Sequence, residues 1–236
     1  MKTSHFLPVA LLTLALLPLR AEDTLWNLTF KDLKPGQAPA EVAFAAPCAG
    51  PQKVSADAQN TLLGAATLGT LQTPLVFTKG STTHYLPSLA LKADKPITSG
   101  VVTVQFDLLF DKITPSSQPI ETLMAFPFVA GDGGTPFVLI VAVSGSDKLI
   151  LGAEGAAKGK SLAFTPGTAG HIKAVLDLDK HTFQAFLNDT PLGDVEHDDA
   201  KFSSFLGFTV RDGSAVGGNK GATFDAGLAN LVITHS

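Results

Sequence analysis

Between Val102 and Leu108 the side chains alternate without a break, in a run that reaches from Val101 to Phe110. Val102, Val104, Phe106, Leu108 and Phe110 are apolar, and Thr103, Gln105 and Asp107 between them are polar. Successive side chains of an extended chain point to opposite faces, so this order makes a ribbon with one oily side. A helix would scatter the same residues around its circumference. The segment predicts a strand, and a strand with one apolar face must be covered by something else in the chain.

The cover predicted is more of the same. Strand patterning recurs over Leu25 to Phe30, Leu75 to Thr78, Phe137 to Val143, Lys148 to Leu151, Ile172 to Leu178, Thr182 to Leu187, Ser204 to Val210 and Leu228 to Thr234. Turn-forming clusters separate these runs, among them Gly131-Asp132-Gly133-Gly134, Asn188-Asp189-Thr190-Pro191 and Asp212-Gly213. No window carries an apolar stripe at i, i+3, i+4, i+7, which removes the helical crossovers a parallel sheet requires. The pattern predicts an all-β fold, a two-sheet antiparallel sandwich of the jelly-roll kind, with the doubly apolar Phe137–Val143 run as a central strand.

The sandwich is expected to occupy residues 22–236 as one domain. Ahead of it, Lys2 and His5 precede an apolar run from Phe6 to Leu19 that ends at Leu19-Arg20-Ala21. That is the layout of a secretory signal peptide over residues 1–21, too short to span a bilayer, so the expected location is the periplasm or the cell exterior. A domain of this length buries about 70% of its unfolded surface and needs no covalent staple. Cys48 is the only cysteine and reads as a small buried hydrophobe. The formal net charge is −4, and the lysines and arginines are scattered singly. Without a basic stripe there is nothing to hold nucleic acid, and no membrane span is expected.

Residues 171–192, His-Ile-Lys-Ala-Val-Leu-Asp-Leu-Asp-Lys-His-Thr-Phe-Gln-Ala-Phe-Leu-Asn-Asp-Thr-Pro-Leu, resemble a hairpin of the concanavalin A-like lectin/glucanase superfamily, which includes laminin G-like domains. An apolar strand ends there in an Asp-rich turn, and a second strand runs to an Asn-centred turn. Residues 222–234, Ala-Thr-Phe-Asp-Ala-Gly-Leu-Ala-Asn-Leu-Val-Ile-Thr, resemble the closing strand of such domains. The resemblance implies a jelly roll, and with it a lectin, a glycanase or an adhesion module. The Glu-x-Asp-x-x-Glu strand by which glycanases of the superfamily are recognised is absent.

Individual residues nominate sites of different strength. Asp177 and Asp179 lie two apart and would share a strand face as an acid–nucleophile pair must, but Asp179 falls at a turn where aspartate caps its own backbone. Asp194, Glu196 and Asp198 are alternate members of an acidic cluster and could present oxygens to calcium, although their spacing matches no defined calcium loop. Trp26 and Tyr85 carry the rings best suited to stacking on sugars, and Trp26 alternates with Leu28 and Phe30, which favours its burial. Asp107, Asp177 and Asp225 are the carboxylates expected on an open sheet face. The histidines show no zinc-ligand spacing and read as surface or strand-edge residues.

These readings rank a secreted, non-catalytic binding or adhesion module first, recognising extracellular or cell-wall glycan. A glycoside hydrolase or polysaccharide lyase using carboxylates of the concave face comes second, and a structural envelope protein third. Apart from calcium, no cofactor is expected.

Overall fold

The computed structural model describes residues 22–38, 59–80, 86–116, 120–135, 137–144, 148–154, 161–213 and 221–236. The expected leader at 1–21, Cys48 and Tyr85 lie outside them. The strands in chain order are β1 (Asp23–Leu28), β2 (Asn60–Gly64), β3 (Thr67–Leu68), β4 (Leu71–Gln72), β5 (Leu75–Lys79) and β6 (Leu89–Ile97). Next come β7 (Val101–Thr114), β8 (Ile120–Val129), β9 (Phe137–Ser144), β10 (Lys148–Glu154) and β11 (Ser161–Phe164). The last are β12 (Gly170–Asp177), β13 (Thr182–Leu187), β14 (Thr190–Pro191), β15 (Glu196–His197), β16 (Phe205–Asp212) and β17 (Thr223–His235).

Fifteen of these strands form two antiparallel sheets in a jelly-roll sandwich, and β3 and β4 pair only with each other. One has nine strands in the order β14-β13-β12-β7-β17-β5-β2, with β1 added beside β17 and β15 beside β13. The other has six in the order β11-β10-β9-β8-β16-β6. The chain passes from one sheet to the other after β5, β6, β7, β11, β15 and β16, so neighbours in sequence often face each other across the core. Among the described residues no helix is long and apolar enough to cross a membrane.

The alternation read from the sequence sets the layers. Val102, Val104, Phe106, Leu108 and Phe110 of β7 are all buried to 1% exposure or less, while Thr103, Gln105 and Asp107 keep partial access to solvent. Phenylalanine rings join the two sheets. Phe106 of β7 stacks on Phe126 of β8 at 5.0 Å between ring centres and meets Phe208 of β16 at 5.8 Å. Phe183 of β13 meets Phe128 of β8 edge to face at 5.3 Å. Offset and edge-on pairs of this kind add about 1 kcal/mol each beyond the area they bury.

β2, β6, β8 and β11 were not expected from the pattern. β8 is buried on both faces from Leu123 to Phe128, which erases its alternation, and it carries Pro127 inside a strand that has neighbours on both sides. β6 carries Lys92, Asp94, Lys95 and Pro96 in its second half, so its sequence looks like a loop.

Buried polar groups tie the sheets together at one end. Lys79 of β5 donates to Asp212 of β16 at 2.6 Å, with side-chain exposures of 1% and 3%, and Asp212 also accepts the Leu86 amide at 3.1 Å. Glu121 of β8 accepts the amides of Ala222 at 2.7 Å and Ser116 at 2.9 Å. A carboxylate hidden from water is stable only when its lone pairs are satisfied in this way.

The ion pair makes a stability prediction. Lys79→Met leaves Asp212 as an uncompensated buried charge and should lower unfolding free energy by about 3–5 kcal/mol, whereas Lys79→Met with Asp212→Leu should cost clearly less than the single change. Urea unfolding at neutral pH checks this. Equal losses in the two variants would contradict the assignment of the pair as a matched unit.

Candidate functional site

The two sheets differ on their outer sides. On the six-stranded sheet the outward positions Ala125, Val138 and Ala142 are apolar and only 0–6% exposed. On the nine-stranded sheet the outward positions of β7, β12 and β13 are mostly polar and half-exposed. Chemistry-bearing side chains therefore gather on the nine-stranded sheet.

The strand pairing lays them out in rows. Asp107 of β7 lies opposite His171 of β12. In the next row Val232 of β17, Gln105 of β7, Lys173 of β12, Phe186 of β13 and Pro191 of β14 stand side by side. The row after that holds Thr234, Thr103, Val175 and Gln184. Neighbouring strands are about 4.8 Å apart, and rows on one face about 7 Å apart, the scale of one sugar ring.

On the far side of Asp107 the face is closed. The β3–β4 hairpin lies over it, with Leu68 and Leu71 packing on Leu109 and Ala229. Gly227 makes room for this: a side chain there would meet Leu68 at 2.9 Å and Leu71 at 3.0 Å. Gly69 turns the hairpin at φ +53°, where a residue with a Cβ is strained. The hairpin stands above the sheet as a wall beside the dyad.

Asp107 Oδ1 and His171 Nδ1 are 2.7 Å apart. An ionised carboxylate can only accept, so Nδ1 donates and the ring's lone pair sits on Nε2. The second oxygen of Asp107 accepts the Asn230 side-chain amide at 2.7 Å. His171 is also gripped through its backbone: its amide donates to Asn188 Oδ1 at 2.8 Å, and its carbonyl accepts the Asn188 amide at 2.8 Å. Asn188 and Asp189 both adopt positive φ, 48° and 64°, in the two-residue turn between β13 and β14. Such a turn requires left-handed backbone at both positions, and Asn-Asp tolerates it. The His171 side chain is 42% exposed, and among the described residues its Nε2 has no hydrogen-bond partner. Gln105 and Lys173 likewise have polar ends without a partner among the described residues. The site thus offers a proton acceptor of fixed direction, an ammonium, an amide and the half-exposed ring of Phe186.

The residues nominated from sequence fare differently. Asp107 is at the centre. Asp177 lies opposite Val101, six residues along the strand from Asp107 and about 20 Å away. Its carboxylate accepts the Lys180 amide at 2.9 Å and the Lys180 ammonium at 2.7 Å, so the residue that caps this hairpin is Asp177 and not Asp179. Asp225 lies opposite Asp111, about 13 Å from Asp107, and binds the Lys112 ammonium at 2.8 Å. The three carboxylates are not brought together. Trp26 is half-buried against the core. Asp198 accepts the amides of Ala200 and Lys201 at 3.1 and 3.0 Å, closing its own turn. Asp194, Glu196 and Asp198 do not converge, and among the described residues no group of three or more His, Cys, Asp or Glu side chains is placed to hold a metal ion.

His171 is a surface residue, one of the two placements expected from the sequence: its side chain is 42% exposed, on the face of the sheet between β7 and β13 rather than at an edge. Its partner is 64 residues away in sequence, so only the β7–β12 register reveals the pair.

Comparison with known proteins gives no family model and no curated relative. Among solved structures, 74% of the chain superposes on 16% of a sialidase chain with a TM-score of 0.48 at 14% identity. An alginate lyase, A1-II′, is matched over 70% of this chain and 80% of its own at TM-score 0.46 and 14% identity. An alginate lyase from Corynebacterium sp. is matched over 78% and 80% at TM-score 0.43 and 15% identity. No residue's role in this chain rests on them.

The hairpin cap carries a pH prediction. Burial alone would raise the Asp177 carboxyl, but the bonds from Lys180 and the Asp179 amide, together with the Lys180 charge, outweigh it and hold the group below its ordinary value. A carboxyl lowered by folding contributes stability above its unfolded value, and that contribution is lost as pH falls through the lowered one. Stability of the native chain relative to Asp177→Asn should therefore shrink as pH is taken below the ordinary aspartate range, measured by urea unfolding at stepped pH. A difference that does not change with pH would contradict it.

Proposed function

We propose that the outer face of the nine-stranded sheet cleaves an acidic polysaccharide by elimination, with His171 as the base. The observation that carries this reading is the 2.7 Å bond from His171 to Asp107, which leaves Nε2 directed away from the carboxylate on a side chain that is 42% exposed. Hydrolysis by the usual route needs two carboxyl groups about 5–9 Å apart. Asp107 has no such companion among Asp111, Asp177 and Asp225 on the strand register, which favours a single base over a carboxylate pair.

Elimination suits the remaining groups. A proton on carbon is acidic enough to remove only beside a carboxyl group, as in a uronate ring. His171 Nε2 takes that proton; the C–H electron pair becomes a carbon–carbon double bond conjugated to the carboxylate; the glycosidic C–O bond breaks; and the departing oxygen is protonated by the imidazolium. Negative charge that builds on the carboxylate during the step is met by the Lys173 ammonium and the Gln105 amide in the adjacent row. Phe186 offers a ring face for the sugar's C–H side. The resemblance of residues 171–192 and 222–234 to the concanavalin A-like superfamily supports this reading, and the expected leader at 1–21 would carry the domain to polymers too large to enter a cell.

A panel of neutral and uronate-containing polysaccharides tests the reading, with the ultraviolet absorbance of the unsaturated product and bound polymer both scored. Turnover is expected on a uronate polymer. It should fall roughly 10²–10⁴-fold in His171→Ala, while Lys173→Ala should mainly raise KM. Turnover unchanged in His171→Ala would overturn the assignment. Binding that depends on Phe186 and Lys173 without any product would instead return the protein to the non-catalytic module ranked first from sequence.

A further inference from the structure

β17 carries one more residue than β7 over the stretch beside the dyad: Ala229 faces Asp107 and Val232 faces Gln105, so the single β7 residue between them, Phe106, is matched by two of β17, Asn230 and Leu231. Within this bulge Asn230 has φ +52°. Left-handed backbone is unfavourable for a residue with a Cβ, though asparagine tolerates it better than most. Bulges re-aim side chains and recur next to functional sites. Here the consequence is specific. The residue directly opposite Asp107 is Ala229, whose methyl can donate nothing, and the extra residue supplies the amide that reaches Asp107 Oδ2 at 2.7 Å.

We infer that this bulge is a positioning device in which Asn230 acts through Asp107 to hold the His171 ring in the tautomer with its proton on Nδ1. With Oδ2 fastened by Asn230 and Oδ1 bonded to Nδ1, the carboxylate cannot rotate about its terminal bond, so one direction of the ring is enforced. Without the amide the carboxylate is free to turn away from Nδ1, and whenever that bond is broken the neutral ring partitions between its two tautomers, only one of which keeps the lone pair on Nε2. Asn230 touches neither His171 nor any reacting atom in this scheme. The inference rests on the reading of His171 as the base for its meaning, but its first consequence is a property of the resting protein.

The test uses Asn230→Gly, which keeps the left-handed backbone and deletes the amide, and Asn230→Asp, which keeps the shape and replaces the donor by an acceptor. Nitrogen NMR of the imidazole, recorded where the ring is neutral, reports the tautomer. The Nδ1-protonated form should dominate in the native protein and drop severalfold relative to the other tautomer in both variants. On a substrate found as above, kcat should fall about tenfold with KM unchanged, the size of effect typical of groups that orient a functional histidine. An unaltered tautomer ratio in a folded variant would show that Asn230 serves only the turn. Failure of both variants to fold would overturn the inference equally, by making Asn230 a residue of the fold. A shifted tautomer together with unimpaired turnover in His171→Ala would sustain this inference and remove the functional reading, so the two fail separately.

Discussion

The contact between phenylalanine rings across the two sheets is the constraint from which the rest of the molecule follows. Phe106 against Phe126 and Phe208, and Phe183 against Phe128, fix which edge of β7 and β13 faces inward. Because the side-chain period of a strand is two, a slip of one residue would turn every one of these rings to water. The outward residues have no say in the matter. Asp107 is on the open face because Phe106 and Leu108 are not, and His171 is there because Ile172 is buried. A site on such a face inherits the rigidity of the core beneath it.

Charge is used in two ways. Lys79, Asp212 and Glu121 are removed from water and spend their hydrogen bonds on the other sheet or on backbone amides, so they fasten the sandwich. Asp107 and His171 are half-exposed, bonded to one another, and leave one ring nitrogen toward solvent. The first arrangement loses its purpose if an atom is left unpaired, and the second acquires one. Lys112 and Lys180 belong to neither kind: both are exposed ammonium groups raised above their ordinary values, first by a hydrogen bond to a carboxylate and then by its charge. Exposed pairs of that sort add little to stability.

The sequence reveals strands where one face is wet and conceals them where both are dry. β7, β12 and β13 are readable because their polar residues alternate, and the open face of the sheet is readable with them, which is how Asp107 could be nominated. β8 has no wet face, and its strand character depends on the neighbours that bury it. The dyad was beyond reach for a different reason. His171 and Asp107 meet through the register of two strands, and nothing local to residue 171 predicts its partner. Asn230 was harder still, because a bulge is a property of a pairing and not of a segment. Asp177 was legible as a strand residue, but the turn-capping role expected at Asp179 falls to Asp177, which bonds the Lys180 amide and ammonium.

Whether a glycan lies along the row of Gln105, Lys173 and Phe186 beside His171 is decided by a crystal structure of the protein soaked with a uronate oligosaccharide. The expected result is a sugar ring over Phe186, its carboxylate at Lys173, and a ring carbon facing Nε2 of His171. A sugar held on the outer side of the six-stranded sheet, with the His171 row empty, would contradict it.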